Sequence, residues 1–173
     1  MMRKSHRRSA AGLPALLVVI ALQLACGGAG SGVEVGRPLP AFSLPSLEGT
    51  PLGSTELVGQ PTVLTFWATW CQPCLKEIPL LRELDADPRL RLISVALDEG
   101  GAEVVRPFVA ERSIDYPVLI GDQETFTRLG GLAIPHTLLI DSEGIVRDVV
   151  RGQIVGHDIA ARLDLPAVEP GEL

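Results

Sequence analysis

Metal-ligating side chains are scarce in this chain. Three cysteines and three histidines are all that 173 residues offer. A structural zinc site needs two ligand pairs at matched spacing. One CxxC, Cys71–Cys74, stands here without a second CxxC or any HxxxH, which argues against zinc. The same shortage argues against a structural disulfide framework. Aromatic residues make up only 4%, so Val, Leu and Ile must fill the core that a hydrophobic content of 46% allows. A formal charge of −6, with no basic stripe beyond the first residues, excludes a nucleic-acid binder on electrostatic grounds. Internal repeats are also lacking.

The longest apolar run covers residues 10–25, contains Pro14 and Gln23, and is short for a membrane span. Arg3, Lys4, Arg7 and Arg8 precede it. A basic head, a short apolar middle and a small-residue exit describe a secretory signal peptide over residues 1–25. Its removal takes four of the 15 basic side chains and none of the 21 acidic ones, leaving an exported portion of net charge −10. Leu22-Gln23-Leu24-Ala25-Cys26-Gly27 resembles a bacterial lipoprotein box, in which the cysteine is acylated and becomes the mature N-terminus. Gln23 departs from that pattern, which usually has Leu there. The resemblance implies lipid attachment at Cys26, and residues 26–34 then form a Gly-rich tether. An uncleaved anchor, ordinary cleavage, or an incidental Cys26 are the alternatives. With Cys26 acylated, Cys71 and Cys74 are the remaining thiols.

Trp70-Cys71-Gln72-Pro73-Cys74 carries the most information. It follows the apolar run Val63-Leu64-Thr65-Phe66-Trp67 and precedes a segment with helical spacing. A helix N-terminus exposes unpaired N–H groups and a partial positive charge. That field favours a thiolate on Cys71, at the helix start. Cys74, one turn on, is placed to resolve a mixed disulfide. Pro73 suits the first helical turn.

Residues 33–60, rich in Gly, Pro and Ser, predict a loose hairpin turning at Gly49. Buried strands are predicted over 62–67 and 90–97. Leu75, Ile78, Leu81 and Leu84 mark one face of a helix over 72–85, kinked by Pro79. Further along, the pattern predicts a helix over 102–113, a strand over 116–120 and a short helix over 123–129 closed by Gly130-Gly131. Strands over 136–141 and 145–151 then flank a Ser142-Glu143-Gly144 turn. A last helix covers 156–163, and residues 166–173 read as a disordered tail. Alternating strands and helices ending in a hairpin predict an α/β fold, a mixed central sheet with helices on both faces.

Phe66-Trp67-Ala68-Thr69-Trp70-Cys71-Gln72-Pro73-Cys74 resembles the active-site segment of thioredoxins. Its continuation, Leu75-Lys76-Glu77-Ile78-Pro79, is similar to the TlpA/ResA-like branch of exported, membrane-tethered thiol–disulfide oxidoreductases. Ile134-Pro135-His136-Thr137-Leu138-Leu139-Ile140-Asp141 resembles the family's cis-proline loop and strand. Pro40-Ala41-Phe42-Ser43-Leu44 with Gly49 resembles its N-terminal entry. The resemblance covers residues 35–165. It implies a thioredoxin-like fold with an extra N-terminal β-hairpin, and an attacking Cys71 with a resolving Cys74. It also implies a cis Pro135 that faces the pair and presents backbone groups to an extended client. Trp70, Gln72, Pro73, Ile134, Pro135 and His136 are the expected groove residues.

Glu77 matches a glutamate typical of the branch. The resemblance implies a proton role there, set against a solvated helix-face residue. Thr65 stands where thioredoxin has a buried aspartate, which shifts the proton role toward Glu77. Trp70 is expected beside the groove, Trp67 in the core, and Phe66 on the opposite face from Trp67. His136, where many relatives have Thr, either stabilises the Cys71 thiolate or is turned away by strand alternation. The second reading is favoured. Asp98 and Glu99 are expected in a solvated loop and His157 on the surface, while His6 leaves with the signal.

The resemblance implies an extracytoplasmic enzyme, at the periplasm or cell surface, with no prosthetic group. It would reduce disulfides in client proteins such as apocytochrome c or copper-site proteins. A CcdA- or DsbD-like membrane protein would resupply electrons. An oxidant or isomerase is the alternative in redox direction. A Cu(I)-binding module using Cys71, Cys74 and His136 is the alternative of another class, since soft thiolates suit that ion. The threonine and arginine that peroxidases place around their cysteine are not evident.

Overall fold

The computed structural model describes residues 32–154 and 158–166. The signal segment, Cys26, His157 and the tail from residue 167 lie outside the described residues. Among the described residues, no helix is long and apolar enough to cross a membrane.

Strands β1 (Ser43–Pro45) and β2 (Pro51–Gly53) form the expected antiparallel hairpin. Gly49 turns it at φ +94°, a conformation costly for any residue with a Cβ. A 3₁₀ turn, Ser54–Leu57, follows. The main chain then alternates. Strand β3 is Thr62–Trp67, α1 Gln72–Leu75, α2 Ile78–Asp85, β4 Arg91–Ala96, α3 Ala102–Glu111 and β5 Val118–Ile120. Helix α4 (Gln123–Arg128), strands β6 (His136–Ile140) and β7 (Val146–Arg151) and helix α5 (Ile159–Arg162) complete it.

One five-stranded sheet runs β5-β4-β3-β6-β7. Its first three strands are parallel to one another, while β6 runs antiparallel to β3 and β7 to β6. Strand β3 is central and buried at every position. That is why its sequence reads as a continuous apolar run: both faces are covered. Alternation sends Val63 and Trp67 to one core and Leu64 and Phe66 to the other. Cys71, Cys74, Leu81 and Ile154 share the first core, whereas Phe126, Leu129 and Leu138 share the second. Truncating Phe66, fully buried in the second, costs about 3–5 kcal/mol by the usual core trend. The hairpin leans on the sheet edge through a bridge from Ser46 to Leu119 in β5.

The single kinked helix expected over 72–85 is instead two helices. Pro79 has no N–H for the Leu75 carbonyl, and its ring crowds that carbonyl. The helix therefore stops and restarts, with Pro79 in the first turn of α2, where a missing N–H does no harm. Lys76 and Glu77 lie between them; Glu77 is the N-cap of α2, and its side chain makes no cap bond. The terminal helix is capped by Asp158, whose carboxylate accepts from the Ala161 N–H at 2.9 Å; residues 156 and 157, where the expected helix begins, lie outside the described residues.

Candidate active site

The parallel strands β3, β4 and β5 end on one side of the sheet, and the loops leaving them carry the site. In an open α/β sheet this is where ligands bind. Beyond β3, Cys71 is the N-cap of α1, in extended conformation. Its Sγ accepts the Cys74 backbone N–H at 3.3 Å. Cys71 and Cys74 form a disulfide with their Cα atoms 5.3 Å apart. The sulfur-bearing residues are nearly covered, at 4% and 3% exposure, while Gln72 and Pro73 are exposed. Trp70, at 67% exposure, stands beside them. Trp67 is buried against Phe108.

The register of β3 against β6 pairs Phe66 with His136. One step further sets Pro135 opposite the end of β3, at the edge where the cysteines follow. The Ile134–Pro135 bond is cis. The Pro135 carbonyl accepts the Gly152 N–H at 2.9 Å, so the loop after β7 holds the proline loop in place.

Glu77 lies one tight turn beyond Cys74, its N–H bonded to the Cys74 carbonyl at 3.0 Å. Its side chain is turned inward, with 1% exposure, and one carboxylate oxygen accepts the Ile154 N–H at 2.5 Å. Burial pushes its pKa up to about 7, and the Ile154 hydrogen bond opposes that only in part. A carboxyl poised there exchanges protons readily at neutral pH. Thr65 and Thr137, paired across β3 and β6, share a buried hydroxyl–hydroxyl bond of 2.8 Å and introduce no charge.

His136 does not line the groove. Its side chain is fully buried on the opposite face of the sheet, in the second core. Its ring lies 5.9 Å from Phe66 and 5.8 Å, edge-on, from Phe126. Nε2 lies 3.0 Å from the Leu129 carbonyl, which can only accept, so Nε2 carries the proton. Burial lowers its pKa, and the Leu129 bond opposes this. Strand alternation turns the ring away from the groove, the favoured of the two expectations, and its place among the groove residues is corrected. The copper reading thereby loses its third ligand. Among the described residues, no group of three or more His, Cys, Asp or Glu could hold a metal.

Asp98 corrects the expectation of a solvated loop. It is buried at the end of β4, with 6% exposure, and its carboxylate accepts the Thr69 N–H at 3.1 and 3.2 Å and the Thr69 hydroxyl at 2.6 Å. It thus fixes the turn that delivers Trp70 and Cys71. Glu99 is exposed. Nothing local in Leu97-Asp98-Glu99-Gly100 signals this; the clue lies in adjacent parallel strands ending together. A cleft of about 850 Å³ opens between Trp70, Glu99, Val104 and Ile120.

The fold and the cysteine pair define a thioredoxin-fold protein of dithiol–disulfide exchange. The AhpC/TSA family model matches residues 35–149, and the chain belongs to that family, with the ResA-like thiol–disulfide oxidoreductases. It is 30% identical to the thioredoxin-like protein YneN of Bacillus subtilis over 138 residues, 78% of this chain and 81% of that protein. It is 30% identical to the thiol–disulfide oxidoreductase ResA of Bacillus thuringiensis subsp. konkukian over 152 residues, 80% of this chain and 88% of that one. Among solved structures, a candidate thiol:disulfide interchange protein DsbE from Chlorobium tepidum matches with a TM-score of 0.68 at 25% identity, covering 76% of this chain and 99% of that chain. The protein is a thiol–disulfide oxidoreductase.

Proposed function

We propose that this enzyme reduces disulfides in client proteins outside the cytoplasm, with Cys71 attacking and Cys74 resolving. The observation that carries the reading is the Cys74 N–H directed at Cys71 Sγ at the start of α1. A donor in that position favours the thiolate over the thiol. The Cys71 thiolate attacks one sulfur of the client disulfide, that bond breaks, and the other client sulfur leaves as a thiolate. Cys74 then loses its proton to Glu77 and attacks Cys71 Sγ, expelling the second client thiolate. The client gains two electrons and the Cys71–Cys74 pair loses two. A CcdA- or DsbD-like membrane dithiol donor restores them.

The exposed Trp70, Gln72 and Pro73, together with Ile134 and Pro135, form the surface that meets the client. The covered sulfurs mean that an extended segment must press closely onto this edge, using backbone pairing of the kind that adds a strand. Residues 1–25 direct export, Cys26 carries the lipid, and the tether leads to the catalytic domain over 35–165. Clients such as apocytochrome c or copper-site proteins fit an enzyme held at a membrane surface.

Cys74→Ser tests the mechanism. It should accumulate mixed disulfides through Cys71, and Cys71→Ser should abolish reduction of insulin disulfides. Normal turnover by Cys74→Ser would overturn the two-thiol scheme. The potential of the pair tests direction: a value near −270 mV supports a reductant, and one near −120 mV an oxidant, on the scale of known thioredoxin-fold proteins.

A further inference from the structure

Three consecutive residues after β7 reach three different parts of the site. The Gly152 N–H donates to the Pro135 carbonyl at 2.9 Å, and the Ile154 N–H to the Glu77 carboxylate at 2.5 Å. Between them, Gln153 Nε2 donates to the Pro73 carbonyl at 3.1 Å. Gly152, at φ +96°, allows the chain to turn sharply enough for this. The loop therefore ties the cis-proline segment, the proton-carrying carboxyl and the cysteine turn to one strand end. Two of the three ties are made by the backbone. Gln153 alone depends on its side chain.

The cysteine turn has few other restraints on its outer side. Helix α1 is one turn long, and Gln72 and Pro73 are exposed. Pro73 has no N–H, and among the described residues its carbonyl otherwise receives only the Lys76 N–H at 3.3 Å, a long bond. We propose that Gln153 is a positioning residue for disulfide exchange: its amide anchors the Pro73 carbonyl and so governs how readily the Cys71–Cys74 ring closes. The inference rests on the exchange reaction proposed above. In the resolving step the Cys74 thiolate attacks Cys71 Sγ, the new bond forms as the Cys71–client bond breaks, and the client departs as a thiolate. An anchored turn keeps Cys74 near Cys71 while both are unbonded. A freed turn gains conformations in the dithiol state that closure must then give up.

The test equilibrates the full-length chain with glutathione redox buffers, followed by alkylation and mass spectrometry of the peptide carrying Cys71 and Cys74. Gln153→Ala should lower the closure constant about fivefold, as expected for loss of one neutral hydrogen bond. That corresponds to about 20 mV toward a more oxidising couple. Gln153→Met keeps the length of the side chain but has no donor, and it should shift by the same amount. In both variants the folded oxidised form should lose stability relative to the folded reduced form by the same factor, about fivefold, because the unfolded chain closes its disulfide without help from Gln153. A closure constant unchanged in Gln153→Ala would overturn the proposal, as would a shift in Gln153→Ala that Gln153→Met does not share, which would assign the effect to packing. If the parent protein itself reaches no equilibrium with glutathione, the exchange reading fails first, independently of Gln153.

Discussion

Glu77 and Ile154 are joined across 77 residues of chain by a buried bond from a backbone N–H to a carboxylate oxygen. The bond offsets only part of the cost of burying that carboxylate, because its pKa still rises from 4.5 to about 7. Between these values the native state binds a proton that the unfolded chain releases. Stability from this group is therefore fully present below pH 4.5 and is lost as pH rises through 7.

Glu77→Gln should remove that dependence. The loss avoided above pH 7 is at most on the order of 3 kcal/mol by linkage. Urea unfolding of the oxidised protein at pH 5 and pH 8 measures it, and parallel changes in both proteins would contradict the burial argument. The exchange rate of the variant should also lose an inflection near pH 7; an identical pH–rate profile would remove Glu77 from the proton path.

His136 acts with the opposite sign. Its pKa is lowered from 6.5, first by burial and also by the Arg151 charge. Below 6.5 the unfolded chain takes up a proton that the native core refuses, so stability falls with falling pH. This partly cancels the Glu77 slope in the parent protein. In the Glu77→Gln background the acid-side loss should stand alone, and adding His136→Gln should flatten it. A melting temperature that still falls from pH 7 to pH 5 in the double variant would point to another group.

Asp98→Ala should cost about 1.5–3 kcal/mol, since it strips a charged acceptor from the Thr69 N–H and hydroxyl. The turn carrying Trp70 and Cys71 would loosen, and exchange with insulin should slow several-fold. Asp98→Asn keeps one acceptor oxygen and should recover part of both losses. A variant as stable and as fast as the parent would return Asp98 to the solvated-loop reading.

Cys26 can be tested in cells. Labelled palmitate should enter the parent protein and not Cys26→Ala. Label in neither would exclude the lipid anchor and leave ordinary cleavage or an uncleaved segment.

Strand β3, the Gly49 hairpin and the CxxC at a strand-to-helix junction were legible because each rests on a local rule: a two-sided apolar run, a positive φ, and a cap. The break before α2 was legible only as a disturbance at Pro79, since a kink and a restart share one cause. Asp98 and Gln153 could not be read at all. Their partners, Thr69 and Pro73, lie 29 and 80 positions away, brought near only by strand order and the loop after β7. His136 was decided by a single alternation step, which sequence poses as a choice and register resolves.

The two borders of the sheet bear on how such an enzyme survives its work. Strand β5 is three residues long and is met by the hairpin at Leu119; β7 presents Arg147, Asp148 and Arg151 along its length. Short or charged borders resist templating by foreign chains. Extended client segments of the kind proposed above carry sticky stretches, and these borders discourage them from adhering to the sheet away from the proposed docking edge at the proline loop.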